Sequence, residues 1–296
     1  MANEMLSLAY QDFDERKAER LRTCASWLSY KKTVDGLKLD RANFCRVRLC
    51  PICQWRRSLK VFGQTCKIVQ AFERESQHSY ALLTLTLKNC RGEELKSSID
   101  LLMTAWNRLT RTAAWNKVVL GYVRGMEVTH NVDYTSPNFD TYHPHFHVLI
   151  ALRKSYFTSR DYIRQSEWSA LWKRCLRIEY VPIVDIRKCK SDRAGAIAEV
   201  TKYTTKSSDY LIPDDWDLTS DAVIILDRAL DHRRFVAFGG ALAELHKKLN
   251  LDDPDEGDLI HVDDENNVDV DAAAEFLFVW HCGFKQYYGG EFDGRL

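Results

Sequence analysis

The sequence has no long apolar run, little proline and no surplus of either charge. None of its hydrophobic stretches approaches the roughly 18–20 residues that a bilayer-spanning helix needs, so no membrane partner is expected. Only 6 of the 296 residues are Pro and 13 are Gly, while 45% are hydrophobic and 28% charged, which excludes collagen-like and mainly disordered chains. The first twenty residues lack a basic stretch followed by an apolar one, so no signal peptide is expected. There is no internal repeat, and no acidic run with the ligand spacing of a calcium loop. At roughly 100–200 residues per domain, the length fits one large domain or two to three small ones.

A formal net charge of zero, from 42 Lys+Arg and 42 Asp+Glu, would argue against a polyanionic partner if the charge were evenly spread. It is not. Residues 1–210 carry 35 Lys+Arg and 22 Asp+Glu, whereas residues 211–296 carry 7 and 20. The first two thirds are therefore basic enough to neutralise phosphates and release counterions, and the last third cancels that charge. The alternative is that these cations merely solvate the surface.

Nine Cys are present, an odd number. A secreted disulfide scaffold is normally shorter, with Cys spread throughout. Here four cluster early: Cys24, Cys45, Cys50 and Cys53. The Cys50–Cys53 knuckle lets two thiolates face one tetrahedral ion, with Cys45 and Cys24 as further ligands and Cys66 competing with Cys24 for the fourth place. A structural Zn2+ is the expectation, and the alternative is four reduced, buried thiols. Reduced thiols and a metal knuckle both point to the cytoplasm. Arg46, Arg48, Arg56 and Arg57 surround the knuckle together with Lys60 and Trp55, a mixture suited to phosphate contact and base stacking.

The middle of the chain reads as α+β. Residues 80–88 alternate Thr and Leu and predict a strand. Residues 93–116 carry Leu95, Ile99, Leu102, Trp106 and Leu109 at helical spacing. Strands are predicted at 122–129, 146–152 and 179–188, a loop at 131–141, and helices at 159–176 and 193–209. This order suits a central antiparallel sheet with packed helices.

On a strand, positions i and i+2 share a face, so His145 and His147 point together while Phe146 points into the core. A hairpin would bring Glu127 of the preceding strand beside them, with His143 and His130 as reserve ligands. Two His and one carboxylate suit Mg2+ or Mn2+, and zinc is also chemically compatible. A packed pair of histidines is the alternative. On a helix, Glu199, Tyr203, Lys206 and Tyr210 would share one face. A Tyr hydroxyl can attack a phosphodiester, Lys206 can supply charge or protonate a leaving oxygen, and Glu199 can accept a proton. Taken alone, this run reads as an exposed helix face carrying ion pairs.

His145-Phe146-His147 resembles the metal motif of HUH endonucleases, and Glu199-x3-Tyr203-x2-Lys206 resembles their catalytic-tyrosine helix. More closely, the order of motifs resembles the rolling-circle plasmid replication initiator (Rep) family. The motifs run from Cys24 and Phe44 to Cys53, through the Leu83–Leu87 strand, Glu127-Val128-Thr129, Tyr142 to Leu149 and Lys202-Tyr203, to His232-Arg233-Arg234-Phe235 and Phe238-Gly239-Gly240. The likeness spans roughly residues 20–250. It implies an HUH endonuclease fold with a zinc-binding N-terminal segment. It also implies Tyr203 as the nucleophile that nicks one strand at a plasmid double-strand origin and keeps the 5′ phosphate. Glu199 would be the base that activates water at termination, and His145, His147 and Glu127 the metal ligands. A host helicase and polymerase would then extend from the nick. Relaxases and single-tyrosine transposases share the two central motifs, and a non-catalytic, zinc-dependent DNA-binding regulator is the rival from another class.

Three segments are therefore expected: a Cys-rich zinc-binding, DNA-contacting part over 1–65, a nicking domain over 66–212 and an acidic region over 213–296. The acidic run at 251–271 reads as a loop that covers the basic face when DNA is absent, or simply as a soluble acidic surface.

Overall fold

The structure is a computed structural model that describes residues 2–33, 36–189, 193–202, 204–261, 275–281 and 283–292. Two short helices, α1 (Ala2–Gln11) and α2 (Glu15–Arg22), open the chain, followed by the hairpin β1 (Trp27–Thr33) and β2 (Gly36–Ala42). The long helix α3 (Pro51–Glu75) starts on Pro51, which tolerates a first helical position because its missing N–H would have no intrahelical partner. Then come β3 (His78–Thr86), α4 (Leu95–Leu109), α5 (Ala113–Val118), β4 (Val119–Asn131), β5 (Thr141–Arg153), α6 (Gln165–Leu176), β6 (Val184–Lys188) and α7 (Arg193–Thr201). The remainder is α8 (Trp216–Leu230), β7 (Val236–Gly240), α9 (Ala241–Lys248), β8 (Glu275–His281) and β9 (Gln286–Phe292).

The central sheet is antiparallel throughout, in the order β6-β3-β5-β4-β7. Its two faces follow from the period of two. On one face Phe146, Met126 and Leu85 are buried beneath α4 and α6, where Trp106 meets Phe146 edge-on at 5.6 Å and the Trp172 indole donates to the Thr86 carbonyl at 2.9 Å. Arg124 is buried on this side, 4.5 Å over the Phe146 ring, and donates to the Arg234 carbonyl. Burial lowers its guanidinium to about 10. The other face carries His145, His147 and Glu127 and meets α7.

A second antiparallel sheet, β2-β1-β8-β9, joins the two ends of the chain, with Leu28 opposite Phe278. Of the boundaries read from the sequence, the one at 65 falls inside α3 and the one at 212 falls in the turn before α8. Strand β7 completes the central sheet, and β8 pairs with β1.

Other elements also differ from the expectation. The helix expected over 93–116 is broken at Thr110–Thr112, where the Thr112 hydroxyl accepts from the Trp115 N–H and starts α5. The strand expected over 179–188 begins only at Val184, past Pro182, which has no N–H for the ladder. The helix expected over 193–209 ends at Thr201, and Lys206 lies beyond it in extended backbone.

Candidate metal centres and their surroundings

Two groups of metal-ligating side chains form among the described residues: Cys24, Cys45, Cys50 and Cys53, and Glu127, His145 and His147. In the first, all four thiols are buried, and Sγ–Sγ separations of 3.6, 3.7 and 3.6 Å link Cys24 to Cys50, Cys24 to Cys53 and Cys45 to Cys53. A tetrahedral ion with bonds of ~2.3 Å to sulfur needs sulfurs ~3.8 Å apart, so this cage fits zinc. The backbone N–H of Cys45 donates to Cys24 Sγ at 3.3 Å and that of Arg46 to Cys53 Sγ at 3.2 Å, which favours thiolates. Cys24 is the fourth sulfur of this group, and Cys66 lies outside it.

The second group arises from register. Glu127 on β4 stands opposite His145 on β5, and His147 lies two residues on, opposite Gly125. Glu127 Oε2 is 3.3 Å from His145 Nε2 and 3.1 Å from His147 Nε2, and the two Nε2 atoms are 3.2 Å apart. Three cis ligands of an octahedral ion with bonds of ~2.1 Å would lie ~3.0 Å apart, so the set fits Mg2+ or Mn2+. The far ring nitrogens are held in turn: His145 Nδ1 by the His143 carbonyl at 3.0 Å and His147 Nδ1 by the Thr84 hydroxyl at 3.2 Å. These bonds aim both Nε2 atoms at the carboxylate. Burial opposes ionisation of Glu127, but hydrogen bonds from His145, His147 and Lys202 outweigh it and hold the carboxyl well below its usual range.

Helix α7 completes the site. Its close approach requires Gly125, where an added Cβ would lie 2.1 Å from the Val200 carbonyl oxygen. That approach puts Glu199 Oε1 3.3 Å from His147 Nε2, and Lys202 Nζ 2.6 Å from Glu199 and 2.8 Å from Glu127. Burial disfavours the Lys202 ammonium, but the two carboxylates more than compensate and raise its pKa. Lys202 is therefore the cation at this centre, a residue that helical spacing alone passed over in favour of Lys206. Lys206 is exposed and outside α7. Tyr203 lies outside the described residues; its neighbour Thr204 accepts from the Val128 N–H at 2.8 Å, which ties this segment to β4.

Three further candidates have other roles. Tyr210 is fully buried, its hydroxyl donates to the Leu49 carbonyl beside the Cys cage, and burial raises its pKa. His130 is held by Asp140 and the Asp209 carbonyl and stacks on Tyr142. His143 stacks on His145 at 5.0 Å, outside the ligand set, and burial lowers its pKa.

The four arginines beside the Cys cage meet the loop 251–261. Arg46 donates to the Glu256 carbonyl, Arg48 to the Glu256 carboxylate, Arg57 to the Asp255 carbonyl, and Arg56 to the carbonyls of Leu259 and Ile260. Lys60 joins them at the Asp253 carbonyl. Pro254, Asp255 and Leu259 are buried, so this loop is packed into the fold, and mostly its backbone carbonyls meet the basic face. Residues 262–271 of the acidic run lie outside the described residues. No helix among the described residues is long and apolar enough to cross a membrane.

A family of replication proteins matches residues 36–288. The chain is 39% identical over 295 residues to the protein "Protein rep" of Bacillus amyloliquefaciens, covering 92% of this chain and 84% of that one. It is 40% identical over 269 residues to a "Protein rep" of a Bacillus species, covering 83% and 85%. It is 35% identical over 299 residues to a "Protein rep" of Streptococcus pneumoniae, covering 96% and 90%. No solved structure matches.

Proposed function

The chain belongs to the plasmid Rep replication-protein family, and from that premise we propose that it initiates rolling-circle replication as an HUH-type endonuclease. The observation that carries this reading is the convergence of Glu127, His145, His147, Glu199 and Lys202 on one sheet face, directly before Tyr203. A divalent ion held by Glu127, His145 and His147 would polarise the scissile phosphodiester. The Tyr203 hydroxyl attacks phosphorus; the new O–P bond leaves a 5′-phosphotyrosine, and the broken P–O bond frees a 3′ hydroxyl. The proton of the attacking hydroxyl passes to water, and the 3′ oxygen takes one from water. The Lys202 ammonium offsets charge that builds on the phosphate. At termination Glu199 takes the proton of a water that attacks the phosphotyrosine.

The Cys cage, with Zn2+ bound, would fix the start of α3 against α1 and β1 and so hold the basic N-terminal part to the catalytic sheet. DNA at the plasmid double-strand origin is the substrate, and a host helicase and polymerase would act on the product. The test is a labelled single-stranded origin oligonucleotide with Mn2+ or Mg2+. Wild type should cleave it only with the metal. Glu199→Ala should still form the covalent adduct but release product poorly. Cleavage unaffected by metal chelation, or by Glu199→Ala at both stages, would contradict the assignment.

A further inference from the structure

Between the β1–β2 hairpin and the first turns of α3 lies an open cleft of about 650 Å3. Its walls carry the rings of Tyr30, Phe44, Trp55 and Tyr287, with Leu37 and Ile52 between them. Trp55 is 47% exposed and Leu37 48%, although both are large apolar side chains. The rim carries Lys31, Lys38, Arg56 and His261 against one acid, Asp40, which is paired with Lys31 at 2.7 Å. A second cavity of about 240 Å3 adjoins it through Leu28, Tyr30, Leu37 and Tyr287 and adds Phe278. Neither cavity includes a ligand of the metal centre at β4 and β5.

From these observations we propose that this cleft binds unpaired nucleotides of single-stranded DNA, with bases stacked on the Trp55, Tyr30 and Tyr287 rings and phosphates at the basic rim. The size fits, since small-molecule sites commonly span roughly 300–1,000 Å3. The chemistry fits as well: flat rings accept any base, and flanking cations follow the sugar–phosphate backbone. An apolar peptide would gain nothing from a rim with three cations and a histidine around one acid. The wall is also pre-set. Arg56 sits 5.7 Å from the ring centroids of both Phe44 and Trp55, and its guanidinium is tied to the carbonyls of Leu259 and Ile260. Cys50 and Cys53 of the Cys cage begin the same helix turn that carries Ile52 and Trp55, so the cage fixes the ring at the cleft mouth.

This proposal rests on the DNA-processing reading and deepens it by adding a holding site away from the cleavage centre. The full-length protein is titrated with a fluorescent oligothymidylate and, separately, with a duplex of equal length. Trp55→Ala should weaken oligothymidylate binding by about 5- to 150-fold, the range of one base–aromatic stack, and Trp55→Phe should restore most of it. Duplex affinity should change far less. A photoreactive phenylalanine at position 55 should crosslink to the oligonucleotide. Unchanged oligothymidylate affinity in Trp55→Ala, an equal loss for duplex, or crosslinks to residues 262–274 or a second copy with oligonucleotide at saturation would each overturn the proposal. Wild-type protein that cleaves origin DNA but shows one of these outcomes leaves the nicking reading standing. Wild-type protein that neither binds nor cleaves DNA defeats both.

Discussion

Lys202 Nζ lies 2.8 Å from Glu127 Oε2, the same carboxylate oxygen that His145 and His147 approach at 3.3 and 3.1 Å. One atom thus links the strand ligands to the helix that leads into Tyr203. Removing the ammonium takes a fixed positive charge from the place where phosphate charge would build. Lys202→Met should slow adduct formation on an origin oligonucleotide by about 10²–10³-fold, as losing one preorganised electrostatic group commonly does. Lys202→Arg should retain part of the rate. Single-turnover rates at saturating metal measure it, and a Lys202→Met rate within twofold of wild type would remove Lys202 from the mechanism.

The Cys cage makes a separate demand. Purified protein should hold about one zinc per chain at this cage, and Cys24→Ser should lose it, because four sulfurs close a structural site. Cys66→Ser should keep it, since Cys66 lies outside the group. Elemental analysis of both variants, with thermal melts before and after chelation, checks this. Zinc retained in Cys24→Ser would contradict the ligand set.

Much of the central site was legible in the sequence because strand periodicity is rigid. His145 and His147 had to share a face, and a hairpin could place Glu127 beside them. The helix that follows was harder. Glu199, Tyr203, Lys206 and Tyr210 stand at helical spacing, so Lys206 and Tyr210 were expected on the face of Glu199. In the fold α7 stops at Thr201, Thr204 bonds to Val128, and Tyr210 turns under Leu49. Those stops are set by long-range contacts that no local pattern carries. Lys202 stood in the text, but only the close packing of Val200 on Gly125 aims it at the carboxylates. The cations at Arg46–Lys60 were equally plain; that backbone carbonyls of 253–260 would meet most of them was not, because carbonyls carry no sequence signal.

Asp255 supplies a pH dependence. Burial is the main cause that raises its carboxyl to about 6, with Arg48 acting in the opposite direction, and its Oδ2 accepts from the Phe235 N–H. The fold therefore favours the neutral acid. Its stabilising contribution is full below about pH 4, the unfolded value, and is lost as pH rises through about 6. Asp255→Asn keeps an acceptor without the charge. It should melt several degrees above wild type at pH 8, for a difference on the order of 2–3 kcal/mol, and the two should converge near pH 4. Melting curves that stay parallel across this range would contradict the buried, neutral assignment.

The central claim is tested most directly by trapping the covalent product. Wild-type protein, Tyr203→Phe and Tyr210→Phe are incubated with a 5′-fluorescent and a 3′-fluorescent single-stranded origin oligonucleotide and Mn2+, then resolved under denaturing conditions. Wild type should carry the 3′ label on the protein and release the 5′-labelled fragment. Tyr210→Phe should do the same, with a stability cost of about 1–3 kcal/mol from the unpaired Leu49 carbonyl. Tyr203→Phe should give no adduct. An adduct of normal yield in Tyr203→Phe would contradict the account.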